Sequence, residues 1–249
     1  MRVNRLFRIV LLIVVSTHTW AKELTVMFGV SRPPFISQDP PSGISYELFK
    51  LISSELQWEF QAQFAPNKRM EYELANMKVD VIVEVQKGNG SVFYSEPFIA
   101  YRNFAVSRSR DKIKFNDYVD LKDRSVCAWQ NAIVNLGKTF EKQVSNFSAY
   151  REFPHQEVQV RSWLSKQCEV IIIDDTLLKW WINELAPLFQ QRNRGVDKDV
   201  VFAPLPNNIL WWYVAFRSEE LRDMFNSELQ KTRSNNEYEK IREQVLLQQ

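Results

Sequence analysis

The sequence predicts an α/β protein made of two similar modules. Three observations carry that prediction: strand and helix patterns alternate between residues 24 and 85, they alternate again between 125 and 185, and Val79 to Val85 is a β-branched run of the kind found in buried strands. In the first module Leu24 to Gly29 reads as a strand. Ser31-Arg32-Pro33-Pro34-Phe35 is a loop, because two prolines prevent regular pairing. Gly43 to Ile52 has apolar residues at helical spacing, Trp58 to Phe64 alternates as a strand should, and Lys68 to Asn76 forms a second helix before Val79 to Val85.

Tyr94-Ser95-Glu96-Pro97-Phe98 interrupts the pattern, and Asn103 to Ser107 begins a strand that runs into an Asp- and Lys-rich stretch. The second module then reads as a strand at Ser125 to Ala128, helices at Asn131 to Val144 and Val158 to Lys166, and a short buried strand at Val170 to Ile173. Asp174-Asp175-Thr176 ends that strand and is suited to cap the helix carrying Leu177, Leu178, Trp180, Trp181 and Leu185. Trp211 to Phe216 is a further strand, followed by helices at Glu219 to Leu229 and Tyr238 to Leu247.

The N-terminus has the layout of a secretory signal peptide. Three arginines precede the apolar run Ile9 to Val15, and Thr19-Trp20-Ala21 supplies small residues for cleavage after Ala21. Seven apolar residues cover about 10 Å of helix, against a bilayer core of about 30 Å, so the run is too short to span. Cleavage removes three of the 32 basic residues and none of the 30 acidic ones, which leaves 29 against 30 and a formal charge of −1. Charge therefore gives no argument for nucleic acid as a partner. In an oxidising compartment Cys127 and Cys168 are either a disulfide or two buried free thiols, and spacing does not decide between them. Beyond the signal only His155 remains as a histidine and the cysteines form no paired ligand motif, so neither a metal nor another cofactor is expected.

The order of motifs resembles the periplasmic solute-binding family of polar amino acid ABC transport systems, the bacterial extracellular solute-binding family 3. The matching pieces are Pro33-Pro34-Phe35, Gly43 with Glu47-Leu48, Leu74 with Val79-Asp80, Ser95-Glu96-Pro97-Phe98, Asp120-Leu121-Lys122, and Glu169-Val170-Ile171-Ile172-Ile173-Asp174. The resemblance implies a type II periplasmic binding fold: two α/β lobes joined by two crossover hinge strands, closing on a small polar ligand. Lobe one would comprise residues 22–104 and 213–249, and lobe two residues 105–212. It also implies a monomeric periplasmic protein, with an ABC permease or a membrane sensor receptor reading its closed form.

The same resemblance selects six residues for the ligand. Phe35 either covers the ligand or plugs the core beneath its loop, and Trp129, at a strand end, either faces the crevice or packs. Asp174 stands where the family places an aspartate for the ligand ammonium, and its plainer role is to cap the next helix. The arginine that the family uses to clamp a carboxylate is missing from Gln86-Lys87-Gly88-Asn89-Gly90-Ser91. Lys87 offers only a point charge in its place, and Arg102 is either a displaced cation or a surface ion pair. Gln130-Asn131-Ala132 lacks the usual hydroxyl, which leaves helix N–H groups at Asn131 as an anion contact. These departures widen the ligand from an α-amino acid to amines, small peptides and other polar metabolites. The chain has no serine nucleophile elbow, metal triad or nucleotide loop, so catalysis is not expected; Glu84 and Glu96 lack recognisable catalytic partners. The rival reading is a ligand-sensing or orphan module without transport.

Overall fold

A computed structural model describes residues 22–88, 92–191 and 199–247. The expected signal peptide and part of the Gln86 to Ser91 stretch lie outside the described residues. The first module runs β1 (Lys22–Phe28), β2 (Ser37–Gln38), β3 (Pro41–Ser42), α1 (Ile44–Glu55), β4 (Trp58–Phe64), α2 (Asn67–Ala75), β5 (Val81–Val85) and β6 (Phe93–Tyr94). β7 (Ile99–Arg108) leads to the second module: β8 (Ser125–Trp129), α3 (Ala132–Leu136), α4 (Lys138–Val144), β9 (Ala149–Phe153), α5 (Gln156–Leu164), β10 (Val170–Asp174) and α6 (Asp175–Gln191). β11 (Val200–Phe216) returns, and α7 (Glu219–Ser234) and α8 (Glu237–Leu247) close the fold.

Sheet order is β4-β1-β5-β11-β7-β10-β8-β9, with β6 paired to β11. β4, β1 and β5 are mutually parallel, as are β9, β8 and β10, and each trio is bordered by one antiparallel long strand. The two modules are thus laid out alike on either side of the β7–β11 ribbon. That ribbon joins the two lobes, with Val200–Pro204 paired to Arg108–Phe104 and Ile209–Trp212 paired to Arg102–Ile99 across a register shift.

Burial explains the local choices. β5 and β10 are buried along their whole length, as strands covered on both faces must be. α1 buries Ile44, Leu48, Phe49 and Ile52 on one face, and Phe28, Phe49, Phe60, Phe216 and Phe225 meet as packed rings beneath it. Each such side chain contributes about 1.5–3 kcal/mol of burial. Gly43, at φ 107°, turns the chain so that Ile44 N–H donates to the Pro34 carbonyl and Ser45 N–H to that of Phe35, which satisfies two groups at the start of α1.

Several of the sequence motifs have structural tasks. Asp80 accepts from Thr25 N–H and pairs with Arg217 at 2.6 Å, tying β1 to the end of β11. Ser95 Oγ accepts from Val214 N–H at 3.0 Å, and Glu169 links Arg124 and Ser125 ahead of β8. Cys127 and Cys168 form a disulfide, which resolves the alternative left open by the sequence.

Three element boundaries differ from expectation. The helix expected over Asn131 to Val144 is two helices, divided at Gly137 with φ 81°. β7 and β11 are much longer than expected, because each follows its partner through both lobes. β9 was not expected at all: Ala149–Phe153 is a half-exposed edge strand with too little apolar alternation to show itself.

Candidate functional site

Four strand ends converge between the lobes. The loop after β1 carries Arg32, β5 carries Glu84 next to its end, and β8 and β10 finish on Trp129 and Asp174. The crevice outside the carboxyl ends of parallel strands is the usual ligand position in open α/β sheets. From the ribbon, alternate residues Tyr101 and Asn103 of β7 and Leu210 and Trp212 of β11 face the same space. The cavity lined by these side chains holds about 60 Å³.

Arg32 dominates this site. Its Nη2 donates to Glu84 Oε1 at 2.6 Å and its Nε to the Tyr101 hydroxyl at 3.0 Å, while its guanidinium carbon lies 5.3 Å from the ring centres of both Tyr101 and Trp212. Tyr101 in turn donates a short hydrogen bond to Glu84 Oε1. Glu84 is fully buried, and it reaches Arg32 through a β-bulge. Tyr213 and Val214 of β11 are paired with Val85 and Val83, which leaves Glu84 unpaired at φ 66° with its side chain re-aimed. Burial works against the charge of Arg32 but is outweighed by Glu84 and Tyr101, so its pKa rises; burial also pushes the Tyr101 phenol well above its ordinary value. Arg32 Nη1 makes no hydrogen bond among the described residues, and the buried Asn103 Nδ2 and Glu84 Oε2 also lack partners.

Asp174 is 2% exposed. Its Oδ1 accepts from Thr176 and Leu177 N–H at 2.9 and 3.0 Å, and its Oδ2 from Arg102 N–H at 2.7 Å. It therefore caps α6 and also borders the cleft. Burial pushes its pKa up to about 7, against these three donors and with help from Asp175.

Of the six residues expected from sequence, Trp129 and Asp174 border the cleft cavity together. Phe35 is buried with its ring 4.3 Å from that of Tyr101, behind the cleft. The Arg102 side chain points to the opposite face of the ribbon, where Phe35 and Asp174 line a second cavity. Lys87 is exposed with its ammonium 4.5 Å from the Tyr213 ring. Asn131 is exposed at φ 67° and its side chain does not cap α3. Of the N–H groups expected to be free there, those of Asn131 and Ile133 are already engaged, donating to the Glu152 carboxylate at 2.8 and 3.0 Å. Sequence reasoning missed Arg32 and Tyr101 as site residues. Arg32, directly before Pro33-Pro34-Phe35, was the signal for the first, since the prolines hold the loop at the strand end.

A family model describing bacterial extracellular solute-binding proteins, family 3, matches residues 24–248. The chain belongs to that family. No curated protein sequence matches this solute-binding protein. Among solved structures it is similar to the GluR0 ligand-binding core in complex with L-glutamate, at 15% identity over 91% of this chain and 99% of that one, with a TM-score of 0.69. It is also similar to the amino acid ABC transporter substrate-binding protein AbpA of Streptococcus pneumoniae bound to L-arginine (18% identity, 90% and 94% covered, TM-score 0.63). A third likeness is to a histidine kinase sensor domain described as similar to periplasmic binding proteins (20% identity, 90% and 96% covered, TM-score 0.64). At these identities the likeness shows the two-lobed fold. Among the described residues of this family member, no group of three or more His, Cys, Asp or Glu side chains could hold a metal ion.

Proposed function

We propose that this protein binds a small amino acid between its lobes in the periplasm and presents it to an ABC permease. The observation that carries the reading is Arg32, a guanidinium whose Nη1 makes no hydrogen bond among the described residues and which lines the same cavity as Asn103, whose Nδ2 is unpartnered. Two such donors suit a carboxylate, and Arg32 supplies the guanidinium that residues 86–91 lack. Asp174, charged for part of the time near neutral pH, suits an ammonium. Lobe one is residues 22–104 with 213–249 and lobe two 105–212, so the ligand touches both lobes and favours closure.

A sensor that closes without transport is the second reading. It is favoured by the small cavity and by Glu84 and Glu152, carboxylates of the chain itself that already satisfy Arg32 and the start of α3. The test is a thermal-shift screen of ligand-stripped protein against amino acids, amines, small peptides and organic acids, repeated with Arg32→Met. A small amino acid that stabilises the wild type and not the variant supports the proposal. A hit confined to amines, or one that survives in Arg32→Met, rejects the carboxylate assignment.

A further inference from the structure

The β7–β11 ribbon has a second functional face. Alternation sends Tyr101 and Trp212 into the solute cleft and turns Arg102 and Trp211 the other way, into a separate cavity of about 200 Å³. The far walls of that cavity are Arg233 at the end of α7, Tyr238 and Arg242 of α8, and the first turn of α6. Three guanidinium groups thus border one hinge-side cavity.

The carboxylates in the cavity wall are already engaged. Asp174 is held by three backbone N–H groups, Asp175 by Lys179 at 2.9 Å and Arg242 at 3.8 Å, and Glu239 by Arg242 at 3.4 Å. Arg242 also donates to Thr176 Oγ1 at 3.0 Å. Arg233 donates to the neutral Pro97 carbonyl and interacts at longer range with Glu96, whose carboxylate does not line the cavity, and the exposed guanidinium of Arg102 makes no hydrogen bond or ion pair among the described residues. Arg102 and Arg233 therefore bring positive charge that no carboxylate in the cavity wall bonds, beside the Trp211 and Tyr238 rings.

We infer that this hinge-side cavity is a binding site for a small oxyanion, a carboxylate or phosphate, held by Arg102 and Arg233 with Arg242 at its edge. Guanidinium forks recognise both groups through paired charge-assisted hydrogen bonds. The walls come from the ribbon, from α6 and from the C-terminal helices, so an occupant ties the start of α6 to α7 and α8 across the hinge.

Titration calorimetry with inorganic phosphate and with succinate, at constant ionic strength, tests the site on the purified protein. Saturable binding of at least one anion is expected. It should weaken at least tenfold in Arg102→Gln and in Arg233→Gln, and persist in the cleft variant Trp129→Ala. Arg102 is exposed and its side chain unpaired, so Arg102→Gln should melt within about 1 °C of wild type, in keeping with the small effects of surface changes. Phosphate binding alone assigns a tetrahedral oxyanion, and succinate binding alone a carboxylate. Absence of saturable binding for both anions, undiminished binding in Arg102→Gln, or loss in Trp129→Ala with retention in Arg102→Gln would each overturn the inference.

Discussion

Replacing Arg32 with methionine isolates the central interaction of the cleft. The variant keeps most of the aliphatic bulk but leaves Glu84, whose side chain is 0% exposed, without its cation. Breaking a buried ion pair from one side costs about 3–5 kcal/mol, because the remaining charge stays buried. Arg32 is itself 20% exposed, so water screens part of the pair and the lower end, about 3 kcal/mol, is the expected loss. For a chain of this size that is a fall of about 6–12 °C in melting temperature. The double variant Arg32→Met with Glu84→Gln removes the stranded charge, while the Gln oxygen still accepts from Tyr101. It should be about 2 kcal/mol more stable than the single variant, measured by urea unfolding at pH 7. A single variant within 1 kcal/mol of wild type, or a double variant no more stable than the single, would refute the claim that this pair holds the cleft together.

Three further outcomes follow from the same structure. Asp174 has an ordinary pKa of 3.8 and a folded value of about 7, so the folded chain keeps a proton that the unfolded chain releases between these values. Its contribution is full below pH 4 and falls by about 4 kcal/mol as pH rises to 7. The stability difference between wild type and Asp174→Asn should decline across that window, and a flat difference would place the carboxylate in a wetter site. The Cys127–Cys168 disulfide closes a loop of 41 residues, so its reduction should cost about 4 kcal/mol. Alkylation followed by intact mass should show no label before reduction and two after. In Gly43→Ala the new Cβ would lie 2.5 Å from the Phe35 carbonyl oxygen at a φ of 107°. Calorimetry should show a loss of about 2 kcal/mol, and an unchanged melting curve would mean that the loop carrying Arg32 is not pinned by α1.

How much of this was legible beforehand depended on the range over which each feature is determined. Alternation and β-branching marked β1, β4, β5, β8 and β10, because a buried strand must be apolar wherever it sits. The motifs from Pro33-Pro34-Phe35 to Asp174 identified the two-lobed fold and brought Asp174 and Trp129 to notice at strand ends. β9 stayed hidden because an edge strand with polar residues has no local signature, and the length of β7 and β11 depends on partners about a hundred residues away.

The site divides along the same line. Composition and motif order by themselves determined the fold class and the absence of the usual arginine from residues 86–91. Only the tertiary structure decided what stands in its place. A bulge that exists only when β5 pairs with β11 turns Glu84 toward Arg32, and the ribbon's alternation assigns Tyr101 to the cleft and Arg102 to the opposite face. Side-chain chemistry is written residue by residue, but the face on which a strand residue emerges is set by register, and register belongs to the folded pair.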